Sequence, residues 1–147
     1  MQLYIVVTRL ACIAFSTAAF VLAMAAPESQ QFSFVVALKG SMLTQLSWTS
    51  MRMLYQAICW YFGEVHLDRI APVLFNDMLV MLLAYGASCA GAASVLFLYH
   101  NLYCDTLGSM ACPMYMAASV FGLVAAFFNT ATTLRLLWAR CSRHHED

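Results

Sequence analysis

Four long apolar stretches separated by short polar breaks dominate this chain, and their lengths predict helices rather than strands. The first covers residues 3–26 and ends at the polar turn Pro27, Glu28, Ser29, Gln30 and Gln31. The second covers residues 32–62, about 31 residues or ~46 Å of helix. That exceeds a hydrocarbon layer of ~30 Å, so this segment is expected to tilt or project, with Arg52 and the Trp60-Tyr61 pair near the interface. The connector 63–71 carries charges of both signs and runs into Pro72, a residue suited to the first turn of a helix. The third stretch covers residues 72–99. A loop over 100–112 leads to the fourth, residues 113–138, and a short polar tail follows over 139–147. The expected fold is all-α: an integral membrane four-helix bundle forming one domain over residues 1–147.

Composition sharpens that expectation. Of the 147 residues, 63% are hydrophobic and only 10% charged, against about 25% charged in soluble domains. Four spans of ~20 apolar residues each use up the length. The net charge is zero and no basic tract is present, so nucleic acid is not an expected partner. Lys and Arg placement sets the orientation. With both termini cytoplasmic, Arg69, Arg140 and Arg143 fall in inner segments, and the two outer loops carry only Glu28 and Asp105. Lys39 departs from the bias and would snorkel outward. Ala23-Met24-Ala25 also resembles a signal-cleavage site. Arg9 leaves no clean basic region before the apolar run, so a retained first helix is expected instead.

Two charges interrupt the apolar stretches. Asp77 lies just inside the third and Arg9 just inside the first, each within ~10 Å of the inner end of its helix. A charge in hydrocarbon costs several kcal/mol, so the two are expected to pair and hold the helices in register. Arg9 snorkelling alone, or Asp77 lining a proton or ion path, are the competing readings. In the third stretch Ala84, Ala87, Gly91 and Ser94 recur at three- and four-residue intervals, a small-residue face for close helix packing. Whether that face meets another helix of the bundle or another copy stays open.

Six cysteines complete the inventory. Cys104 and Cys112 share the outer loop, where an oxidising exterior favours a loop-closing disulfide. Cys12, Cys59 and Cys89 lie within helices and are expected to be packing residues. Cys141 follows the fourth span as a free or acylated thiol. There is no Cys-x-x-Cys pair, no His-Glu-x-x-His metal motif and no Gly-rich phosphate loop. Nor do His66, His100, His144 and His145 fall at metal-ligand spacing. No catalytic residue, cofactor or metal is therefore expected.

An Arg in span one, an Asp early in span three, and two outer-loop cysteines between four helices together resemble the plant Casparian-strip membrane-domain-like (CASP-like) proteins. The closest stretch is residues 77–115, with its Ala-x-Gly-Ala-Ser-Cys-Ala-Gly-Ala run and Asn-Leu-x-Cys followed by Cys-x-x-Tyr. The resemblance implies a multi-pass plasma-membrane protein of plants that forms homo- and hetero-oligomers with related proteins in the lipid bilayer. It also implies that Arg9 and Asp77 correspond to the family's charged pair, and Cys104 and Cys112 to its loop cysteines. Some founding members are scaffolds that recruit wall-modifying enzymes. This chain departs from them in its very short first outer loop, its nearly missing N-terminal extension and Lys39. The expected function is a non-catalytic scaffold or membrane-domain organiser. The alternatives are a small transporter or channel using Asp77, and a thiol oxidoreductase using Cys104 and Cys112.

Overall fold

A computed structural model describes residues 2–26, 33–62, 70–100, 104 and 110–143. The polar turn after the first apolar stretch, the charged connector, most of the cysteine loop and the last four residues lie outside that set. So do the side chains of Cys59, Trp60 and Cys141, and His66, His144 and His145.

Four helices account for the rest: α1 Gln2–Ala25, α2 Ser33–Phe62, α3 Ile70–His100 and α4 Ala111–Arg143. Both α3 and α4 start two residues before a proline, Pro72 and Pro113. The first-turn N–H groups of a helix have no partner within it, so a proline there loses nothing. Three stretches, Leu3–Ala25, Leu74–His100 and Ala111–Trp138, are long and apolar enough to cross a membrane. α2 is long enough at 30 residues but not apolar enough. The polar side chains it commits to the interior, among them buried Gln45 and Thr49, lower its apolar content.

Each helix packs on its neighbours in sequence, and α4 closes the ring against α1. α1 and α4, and α3 and α4, make the most extensive contacts. α1 and α3 therefore stand at opposite corners, not side by side. Contacts descend one helix as they climb the next, as Tyr4 under Arg135, Thr8 on Thr132 and Phe15 on Phe121 show for α1 and α4. The topology is up-down-up-down.

The side-chain distribution is inverted relative to a soluble bundle. The middle of the core is built from Ala19, Ala23, Ala84, Ala118 and Ala126 around Leu38 and Met42. Large apolar residues instead face outward on all four helices, including Leu3, Leu54, Phe97 and Phe127, each more than 60% exposed. Small interior residues bring the backbones close. Gly91 is the clearest case: a Cβ there would lie 2.6 Å from Ser119 Oγ. At Gly122 an added Cβ would collide with Ser88 Oγ. The two sites are reciprocal, a glycine on each helix receiving a serine from the other.

That seam revises the expected small-residue face of α3. Ala84 and Gly91 are buried, and Ala87 is half-buried against the alanine core. Ser94 is half-buried, its hydroxyl bonded to Ala90 O at 2.8 Å in its own helix. Fully buried Ser88 takes the central place, between Ala84 and Gly91. Cys89, the next residue, is turned ~100° away and is exposed, so it is not a packing residue of this bundle. Four threonine hydroxyls are satisfied locally: Thr8, Thr130, Thr132 and Thr133 each donate to the carbonyl four residues earlier.

Candidate functional site

At the end of the bundle where α1 and α3 begin, three charged side chains converge. Asp77 lies two turns into α3 and is fully buried. Arg52 Nη2 is 3.6 Å from Asp77 Oδ2, and Arg9 Nη2 is 3.9 Å from the same oxygen. Trp48 Nε1–H donates a hydrogen bond to the other oxygen, Oδ1. Trp48 and Arg52 are four residues apart on α2 and present one face toward α3.

The cluster thus joins three helices, with Asp77 between α1 and α2. Arg9 reaches it from the diagonal corner, so the expected pair bridges helices that are not neighbours in the bundle. Arg52, expected at the interface, is instead a second partner of Asp77 with a side chain only 15% exposed. The signal that identifies it is its four-residue offset from Trp48, which becomes meaningful once α2 is known to face Asp77.

Beneath the charges lies a neutral polar layer. Gln45 Nε2 donates to Cys12 Sγ at 3.3 Å, and Cys12 Sγ lies 3.8 Å from Thr49 Oγ1. Thr132 Oγ1 bonds Thr8 Oγ1 at 3.0 Å, tying α4 to α1 one residue before Arg9. Arg135 lies 4.5 Å from the centre of the Tyr4 ring, a cation–π contact on the outside.

The opposite end is held covalently. Cys104 and Cys112 are disulfide-bonded with a Cα separation of 5.9 Å, next to a cluster of Ala26, Val35, Val95 and Tyr115. Closing so short a loop contributes about 2–3 kcal/mol by chain entropy. Replacing both cysteines with serine is expected to lower stability by that amount in detergent unfolding. The helices should still form.

Among the described residues no three His, Cys, Asp or Glu side chains come together as metal ligands. His100 closes α3 as an exposed residue. What the site can do chemically follows from its composition: every partner of Asp77 among the described residues is a donor or a cation, so it clamps helices and holds positive charge in the interior. No family model, curated protein or solved structure matches this chain.

Proposed function

We propose that this chain is a multi-pass plasma-membrane protein that acts without catalysis, as a scaffold or membrane-domain organiser working through self-association. The observation that carries the reading is the inverted side-chain distribution, with alanine, serine and paired charges inside and large apolar side chains outside. Lipid rewards that arrangement, because hydrocarbon solvates large apolar groups while small residues permit close helix contact. α2 inserts with Gln45 and Thr49 facing its neighbours rather than lipid. The resemblance to CASP-like proteins supports the further points: both termini in the cytoplasm, homo- or hetero-oligomers with related proteins, and a link to wall modification.

Single-molecule counting of a tagged copy in native-like lipid tests this. The expected result is two or more subunits per complex and patches at the cell surface. A strictly monomeric, evenly spread protein refutes it. The transporter reading is tested in liposomes, where the expected flux equals that of protein-free vesicles. A flux abolished by Asp77→Asn would establish transport instead.

A further inference from the structure

Among the described residues, two guanidiniums share one carboxylate at the charged end of the bundle, leaving one positive charge without a counter-charge there. Arginine does not lose its proton in proteins, so the surplus cannot be relieved by titration. An unbalanced charge among apolar helices is strongly unfavourable. A second observation points the same way. Arg9 Nε and Nη1 and Arg52 Nε are buried donors with no hydrogen-bond partner among the described residues. Both ion-pair distances also exceed hydrogen-bond length, and Asp77 Oδ2 accepts no hydrogen bond. One carboxylate does not satisfy two forks.

Access is unequal. The Arg9 side chain is 3% exposed and the Arg52 side chain 15%. Asp77 lies ~4.5 Å beyond Leu74, where the apolar stretch of α3 begins, and Arg9 ~9 Å beyond Leu3. The cluster is thus shallow enough for an arginine side chain to reach a headgroup.

We propose that Arg52 binds one phosphate-type oxyanion, which supplies the missing negative charge. Binding divides the cluster into two neutral pairs: Arg9 keeps Asp77, and Arg52 turns its outer edge to the anion. A planar guanidinium matches two phosphate oxygens in a way an ammonium does not. The ligand is either a lipid headgroup phosphate or free phosphate, and the site does not depend on self-association.

The full chain in maltoside micelles, which contain no phosphate, distinguishes these sources through its thermal unfolding midpoint. One arm titrates sodium phosphate against sodium chloride at equal ionic strength. The other adds phosphatidylglycerol against neutral diacylglycerol at equal mole fraction. A rise in the midpoint in the first arm assigns free phosphate, and a rise in the second alone assigns the headgroup. Arg52→Gln should raise the half-maximal concentration at least tenfold. Arg52→Lys, which keeps the charge and loses the fork, should raise it severalfold. Asp77→Asn, with two unbalanced guanidiniums, should lower it. No midpoint shift beyond the chloride and diacylglycerol controls overturns the proposal, as does an unchanged response in both Arg52 variants.

Discussion

Asp77→Asn is expected to cost about 3–5 kcal/mol of stability, the largest loss of any single neutralisation in this chain. The substitution leaves Arg9 and Arg52 facing each other in a buried site with no carboxylate between them. Arg9→Met should cost distinctly less, because Arg52 and Trp48 remain on Asp77 and the residual pair is neutral. A simple two-residue pair predicts nearly equal losses from either partner, so the asymmetry is the discriminating result. Combining Arg9→Met with Asp77→Asn should recover part of the loss, since only one unbalanced guanidinium is left. Reversible unfolding in mixed micelles measures all three. Equal costs for the two single variants would show that Arg52 plays no part in balancing Asp77.

Gly122→Ser is the second variant with a large expected effect, about 1–3 kcal/mol. The new Cβ would overlap Ser88 Oγ and press on Met42, whose Cε lies 3.0 Å from its position. The compensating change is specific. Ser88→Gly removes the obstructing hydroxyl, so the double variant transfers the serine from α3 to α4 and should regain most of the loss. The reciprocal exchange at Gly91 and Ser119 should behave in the same way, because the same seam has the same glycine–serine contact there. Recovery in both exchanges would locate the closest approach of α3 and α4 at these four residues. A double variant as unstable as the single would place the strain elsewhere.

Several features were legible in order along the chain. The four helices follow from apolar runs interrupted by Pro27, by the charged connector before Pro72, and by the polar loop before Pro113. A carboxylate in an apolar run demands a partner, which marks Asp77 and Arg9 without any structure. Cys104 and Cys112 could be paired because few residues separate them. Arg52, Trp48 and Ser88 were not singled out as partners. Their roles depend on which face of α2 or α3 turns inward, and in a helix apolar on nearly every side the residue pattern does not mark that face. Cys89 shows the converse error, since its small size made it look like a packing residue.

By itself, the amino-acid order determined the number of helices, their approximate ends and the presence of charges that cannot stay solitary in hydrocarbon, because these depend on local composition and on the length of helix that an apolar run can form. Tertiary structure alone decided that α1 and α3 occupy opposite corners, that Asp77 answers to two arginines, and that a glycine and a serine interlock twice between α3 and α4. Those outcomes depend on the rotation of each helix about its axis. That rotation is set by contacts between residues far apart in the chain, which no local pattern specifies.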